Sequence, residues 1–217
     1  MTDSPQHAAD ALIGALDGAA ATDTCALRDV RRRFSREWRA LPAAFLLAAA
    51  SAVARRRGYR WIAYELIRGN ARAFSVLDDA RIAALAVGLD SWESVDAFSR
   101  TLSGPAWAHG LVSDGLIETW TRSDDRWLRR TALVSTIELG ADPRVLPVCD
   151  ALAADRDDMV VKGLSWALRR LAKHDAGAVR AFLAEREGVL AARVQREVGN
   201  KLATGLKNPN RRAGHNR

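Results

Sequence analysis

Residues 91–96 read SWESVD and open an apolar run that continues through residue 98. Ser91 suits the cap of a helix, because its side chain can accept a hydrogen bond from a free backbone amide of the first turn. Within that helix Trp92 and Asp96 stand four residues apart, which places an indole and a carboxylate on one face. This pair is the candidate active centre.

The same kind of helix start recurs along the chain at a nearly constant interval. Its four instances are Arg60-Trp61, Ser91-Trp92, Arg126-Trp127 and Asp158-Met159. They are 31, 35 and 32 residues apart, with room for another helix between each pair, and such a period is typical of stacked helical hairpins. No run of strand length alternates between apolar and polar residues. We therefore predict an all-α helical-hairpin repeat solenoid, curved, with a basic concave face that gathers Trp92, Asp96, Arg130 and Trp166.

The chain carries an excess of positive charge, and most of its cationic residues are arginines. The 217 residues include 33 Lys and Arg against 26 Asp and Glu, a formal net charge of +7. Because the planar guanidinium suits bidentate recognition of phosphate, this excess favours a polyanionic partner such as DNA. A basic surface without a partner is the alternative.

The most basic segment begins at Cys25 and has the apolar spacing of a helix. Its other face carries Arg28, Arg31, Arg32, Arg33, Arg36 and Arg39. Such a face is either solvated or in contact with phosphates. On the second interpretation Arg31 and Arg32 are candidate DNA-binding residues.

The domain organisation and the cellular compartment are predicted from linkers, cysteine spacing and targeting segments. No Pro/Gly/Ser-rich linker interrupts it, so we predict one domain over residues 1–204 and a basic, disordered tail over 205–217 that can touch nucleic acid. Cys25 and Cys149 lack metal-type spacing, which favours a reduced intracellular protein without disulfides or zinc. With no leader or membrane-spanning stretch in the sequence, we expect a cytoplasmic protein, nucleoid-associated when bound to DNA. We expect a monomer, because a curved solenoid that wraps a duplex needs no partner chain.

The remaining tryptophans are assigned to packing. A tryptophan at a helix start is usually a core residue, so Trp61, Trp107, Trp120 and Trp127 are expected to be buried. The segment 106–121, which contains two of them, is predicted to form one helix.

Three stretches together resemble the AlkD-like DNA alkylation-repair glycosylases, a family built from HEAT-like repeats. They are SWESVD at 91–96, WLRRTAL at 127–133 and VKGLSWALRRLAK at 161–173, and the resemblance covers most of residues 58–205. It implies a DNA glycosylase of base excision repair that removes positively charged N3- and N7-alkylated purines from double-stranded DNA. It further implies that Asp96 is catalytic, that Trp92 and Trp166 line the active site and that Arg130 contacts the DNA backbone.

The charge of the substrate agrees with these residue types. A cationic alkylpurine leaves as a neutral base while the sugar gains oxocarbenium character, which Asp96 can stabilise while orienting a water. The faces of Trp92 and Trp166 favour the same cation. Arg130, together with Arg129 and Lys162, can hold a phosphate and set the sugar against the carboxylate. This chemistry needs no metal or organic cofactor.

Alternatives remain open at this stage. Asp96 could be a solvated carboxylate or pair with Arg100 at i+4. Well-studied members of the family carry a tyrosine in an early helix, whereas this chain has none before Tyr59. A non-catalytic DNA-structure binder of the same architecture is therefore the second hypothesis, and a HEAT-type protein-interaction scaffold is the third.

Overall fold

The computed structural model describes residues 4–19 and 23–209, and all regular structure within them is helical. Short 3₁₀ turns occur at Trp38–Ala40, Arg57–Tyr59 and Thr136–Glu138, and a π-helical stretch at Ser99–Ser103. The α-helices are α1 (Pro5–Asp17), α2 (Thr24–Glu37), α3 (Ala43–Ala54), α4 (Arg60–Arg68), α5 (Ala71–Ser75), α6 (Asp79–Ala86), α7 (Trp92–Phe98), α8 (Gly104–Ala108), α9 (Asp114–Thr121), α10 (Arg126–Ser135), α11 (Val145–Ala151), α12 (Asp158–Leu171), α13 (Ala176–Glu185) and α14 (Ala192–Thr204).

The predicted repeat is present in the helix boundaries. The four dipeptides of the sequence repeat open α4, α7, α10 and α12, and one or more further helices lie between each successive pair. The described ranges contain no strand. The all-α class and the helical-repeat architecture are thus confirmed.

The chain divides into two compact units. Unit 1 comprises Met1–Gly88 and Thr101–Ser113, and unit 2 comprises Leu89–Arg100 and Asp114–Arg217. The single domain over residues 1–204 stays a prediction beside this division. Of the tail predicted to be disordered, residues 210–217 lie outside the described residues, whereas residues 205–209 are described.

Unit 1 is organised around α3, which packs against α1 and α4. The helix α3 is almost entirely apolar, and Leu46 and Val53 on it are buried together with Leu12 of α1 and Ile62 of α4. Burying such side chains contributes about 1.5–3 kcal/mol each relative to leaving them in water.

The helix predicted over residues 106–121 is wrong as one element. It is two helices, α8 and α9, because the chain turns at Gly110, whose φ is 71°. A left-handed backbone of this kind suits glycine and ends a helix. The amide of Leu111 donates to the carbonyl of Ala106 at 2.9 Å and closes the turn.

Unit 2 is organised around α12, which packs against α10 and α14. Leu164 and Leu168 on α12 are buried with Leu133 of α10 and Val194 of α14. The helix α7 packs in turn on α10. This packing holds the residues of the candidate site in one unit.

The packing role assigned to the four other tryptophans is confirmed for two of them. Trp107 and Trp120 are buried. Trp61 and Trp127 are partly exposed, so the prediction is wrong there. Arginine guanidinium groups cover the two rings instead, with Cζ 5.4 Å from the Trp61 centroid and 4.8 Å from that of Trp127. An arginine stacked on a ring shields apolar surface while its charge stays hydrated.

None of the described helices has the length and apolar composition that crossing a bilayer requires.

Candidate active site

Three capped helices of unit 2 present the site residues. Ser91 caps α7 by accepting from the amide of Ser94, whose side chain bonds back to the Ser91 amide. Asp125 and Asp157 cap α10 and α12 by accepting from the amides of Trp127 and Met159, each at 2.8 Å. The fifth residue of each helix is then Asp96, Arg130 or Lys162. Counted from the first residue of each helix, the same position therefore carries one carboxylate and two cations.

The central interaction is a buried ion pair between Asp96 and Arg130. Nη2 of Arg130 donates to both carboxylate oxygens, at 2.9 and 3.1 Å, and Nε donates to Oδ1 at 3.1 Å. Nη1 donates at 2.6 Å to the carbonyl of Met159 at the start of α12. The side chain of Arg130 is 5% exposed and that of Asp96 is 18% exposed. Asp96 thus pairs across helices, whereas Arg100, its possible i+4 partner, bonds to Glu138.

Burial outweighs the ion pair in setting the protonation of Asp96. The pKa of its carboxyl is raised above the ordinary value because burial disfavours the charged form, while Arg130 and then Arg100 oppose the rise and Glu93 adds to it. An ionised Asp96 is consequently poorly hydrated. Its oxygens keep lone pairs beyond those that Arg130 uses, so the carboxylate can still accept a proton or face a developing cation.

A pocket of about 470 Å³ opens beside this pair. Trp92 forms part of its wall and is 51% exposed, an unusual state for a large apolar side chain. Asp96 is not among the lining residues, but it is bonded to Arg130, which lines the pocket. The lining residues are Trp92, Arg130, Met159, Lys162, Trp166, Arg169 and Lys207. The structure therefore brings Trp92, Trp166, Arg130 and Lys162 together around one cavity.

The predicted DNA-binding arginines are engaged within the protein. Arg129 donates at 2.7 Å to Asp155 and at 2.9 Å to each of the carbonyls of Ser123 and Asp124. To reach a phosphate, Arg129 or Arg130 would have to exchange protein acceptors for it. Phosphate contact by these two residues stays a prediction.

The other predicted DNA contacts also lie in ion pairs. Lys162 is 2.6 Å from Asp158, although it still lines the pocket. Arg31 and Arg32 belong to unit 1, where Arg31 lies 3.0 Å from Glu65 and Arg32 pairs with Asp29. Their contact with DNA stays a prediction as well.

The sequence reasoning missed the group of residues around Glu197. This carboxylate on α14 is buried, accepts from the hydroxyl of Ser165 at 2.6 Å and lies 3.3 Å from Lys207 and 3.9 Å from Arg169. Burial raises its pKa, but the bond from Ser165, together with Lys207 and Arg169, outweighs that effect and lowers the pKa below its ordinary value.

A signal for Glu197 was present in the sequence. It lies on the apolar stripe of α14 between Val194 and Val198, both of which are buried. A carboxylate on such a stripe needs partners to be stable, and here its partners are cations of the pocket wall.

Among residues 4–19 and 23–209, no three His, Cys, Asp or Glu side chains group as ligands for a metal ion.

The fold and site together define an all-α helical-repeat protein in which a largely buried carboxylate is bonded to an arginine of a tryptophan-lined, cationic pocket. Residues 19–202 match the family model described as DNA alkylation repair enzyme, and the chain belongs to that family. The match begins well before residue 58, so it includes the arginine-rich α2. Membership identifies the protein as an enzyme of DNA alkylation repair and implies DNA as its partner. A search of the curated proteins finds no match.

Proposed function

We propose that the protein is a DNA glycosylase of base excision repair. It would hydrolyse the N-glycosidic bond of cationic N3- and N7-alkylated purines in duplex DNA. One observation carries this proposal: Arg130 holds Asp96 through three hydrogen bonds beside a pocket walled by Trp92 and Trp166. The pocket offers aromatic faces for a cationic base and cations for the flanking phosphates.

Bond breaking in this reaction needs electrostatic help at the sugar. The electron pair of the glycosidic bond moves to the base, which departs neutral, and positive charge develops at the anomeric carbon. The partly buried Asp96 carboxylate faces that charge in a medium of low dielectric, where the attraction is stronger than in water. A water then bonds to the anomeric carbon and gives its proton to Asp96, from which it passes to solvent.

Arg130 supports this step as a positioning residue. Its guanidinium fixes both carboxylate oxygens at 2.9–3.1 Å and is itself fixed by the carbonyl of Met159. A carboxylate held in this way does not need to reorganise as charge develops. The same pair favours the ionised form of Asp96 and so opposes part of the rise in pKa that burial causes.

Trp92 and Trp166 bind the cationic base through their ring faces and exclude water. The face of an indole ring attracts a cation, by about 0.5–2 kcal/mol depending on desolvation. The large exposed area of Trp92 would be covered when DNA binds, which would explain why this ring is exposed in the free protein. In this proposal the protein acts as a cytoplasmic monomer on double-stranded DNA and needs no cofactor.

The test is release of 7-methylguanine and 3-methyladenine from alkylated duplex DNA by the full chain. We expect Asp96→Asn to lower the single-turnover rate by roughly 10²- to 10³-fold, the usual cost of losing one preorganised charge-stabilising group. Asp124→Asn is the matched control, since Asp124 is exposed on the same unit and is expected to leave the rate unchanged. Excision by Asp96→Asn at the wild-type rate would contradict the assigned chemistry.

A non-catalytic DNA-structure binder is the second candidate. Tyr59, the first tyrosine of the chain, donates at 2.7 Å to Asp17 within unit 1, so its hydroxyl is already used inside the protein. Salt-sensitive binding of DNA without release of either base, by the wild type and both variants, would favour this candidate.

A further inference from the structure

A second, smaller pocket of about 240 Å³ lies in unit 2 and has Trp166, Arg169 and Lys207 in common with the candidate active pocket. We call it the cationic pocket. Its lining residues are Arg100, Ile137, Trp166, Arg169, Arg170, Lys173, Lys201 and Lys207. Six of these eight side chains are cationic and none is acidic.

The carboxylates near this pocket do not balance its charge. Glu138 pairs with Arg100 at 2.9 Å, and Glu197 serves both Arg169 and Lys207. The other three cations, Arg170, Lys173 and Lys201, have no carboxylate partner in the part of the chain that the structure describes. Like charges this close repel one another unless an anion lies between them.

Arg170 adds a specific unsatisfied donor. Its Nε–H is buried and has no acceptor among the described residues. A buried donor left without a partner destabilises the folded protein. An oxyanion bound in the pocket would neutralise charge and would give the guanidinium of Arg170, which lines the pocket, an acceptor.

The C-terminal segment completes the pocket. Gly205, at φ 72°, turns the chain after α14, and Lys201 Nζ donates at 2.6 Å to the Gly205 carbonyl. Asn200 Nδ2 donates at 3.1 Å to the carbonyl of Lys207, and Glu197 holds the ammonium group of Lys207 at 3.3 Å. Lys207 is thereby held at the boundary between the two pockets.

From these features we propose that the cationic pocket binds a phosphate group of nucleic acid. Its volume can hold a phosphate group, its cations exceed the nearby carboxylates, and the guanidinium of Arg170 lines it without a carboxylate partner among the described residues. Trp166 forms a wall of both pockets, so a phosphate held here would fix the position of the backbone relative to the candidate active pocket. In naming DNA as the ligand, the inference rests on the proposed function.

Binding of undamaged duplex DNA tests this site without any excision step. We expect Arg170→Gln and Lys173→Gln each to lower the slope of log K against log salt concentration, by at most about 0.9, the value for one fully lost phosphate contact. Arg180→Gln is the matched control. Arg180 is exposed on α13 of the same unit and lines neither pocket, so its effect on the slope should be much smaller.

The experiment uses two duplexes, one with 5′-phosphate ends and one with 5′-hydroxyl ends. An equal loss of slope on both assigns the site to an internal phosphodiester, and a loss confined to the phosphorylated duplex assigns it to a terminal phosphate. Slopes for Arg170→Gln and Lys173→Gln that equal that of Arg180→Gln on both duplexes would overturn the proposal. A changed slope in a protein that releases no base would instead contradict the glycosylase and leave the phosphate site standing.

Discussion

The two units both contain a helix rich in cations, but they neutralise it differently. On α2 of unit 1, carboxylates accompany most of the arginines: Asp29 pairs with Arg32, Glu37 with Arg33, and Glu65 with Arg28 and Arg31. On α12 of unit 2, Lys162 pairs with Asp158, but Arg170 has no carboxylate partner among the described residues, and Arg169 shares the buried Glu197 with Lys207. The number of arginines therefore does not identify the site.

The carboxylates differ between the units even more than the cations. Asp29 and Glu37 have half or more of their side chains exposed, and exposed pairs of this kind contribute little to stability because water screens them. Asp96 and Glu197 of unit 2 are largely buried. A buried carboxylate orients its partners and carries a shifted pKa, and such groups are common at functional sites.

The sharpest test of this contrast is the loss of one arginine from each unit. Arg130→Gln should lower the free energy of unfolding by about 3–5 kcal/mol, because it leaves Asp96 buried without its partner. Arg32→Gln should lower it by roughly 0.3–0.5 kcal/mol, since its pair with Asp29 is exposed and three residues apart. Urea denaturation of the two variants measures both values.

A double variant separates the ion pair from the packing of Arg130. Adding Asp96→Asn to Arg130→Gln removes the uncompensated charge, so the double variant should be more stable than the sum of the single losses indicates. Additive losses, or equal losses for Arg130→Gln and Arg32→Gln, would show that the buried pair has no special role.

The helix starts and the helical repeat could be predicted from the sequence. Cap residues such as Ser91 and Asp157 mark helix starts through their own side-chain bonds, and the interval between such starts identifies the helical repeat. The resemblance of three short stretches also selected Trp92 and Trp166, which line one pocket.

The pairings between helices could not be predicted in the same way. Arg129 and Arg130 are neighbours in sequence, but a helix turns by about 100° per residue, so one faces Asp155 and the other Asp96. Which neighbour faces the carboxylate depends on how α10 packs, and no local signal encodes that. Lys207 enters the site for a similar reason, through a turn at Gly205 and a carboxylate on another element.

Substitution of Glu197 should have the next largest effect on the free energy of unfolding. Glu197→Gln should lower the free energy of unfolding at neutral pH by about 1.5–3 kcal/mol, the range for hydrogen bonds to a charged group. The folded-state pKa of Glu197 lies below its ordinary value of 4.5, so its stabilisation is present above that value and is lost as the pH falls through the lowered pKa. The difference between wild type and variant, from urea denaturation, should therefore shrink in acid. A difference that stays constant down to about pH 3 would contradict the role of its charge.

The pKa of Asp96 is shifted in the opposite direction to that of Glu197, and the measurement that detects this shift is the pH dependence of activity. Excision needs an ionised Asp96, and burial raises its pKa above the ordinary value of 3.8. The single-turnover rate, corrected for base loss without protein, should therefore begin to fall at a pH above that value and then drop about tenfold per pH unit, since only the ionised fraction reacts. Circular dichroism at each pH confirms that the chain is still folded. A rate that stays level until the pH reaches 3.8 would show that the ion pair with Arg130, and not burial, determines the protonation of Asp96. The contrast between the buried carboxylate of unit 2 and the exposed pairs of unit 1 would then not extend to its pKa.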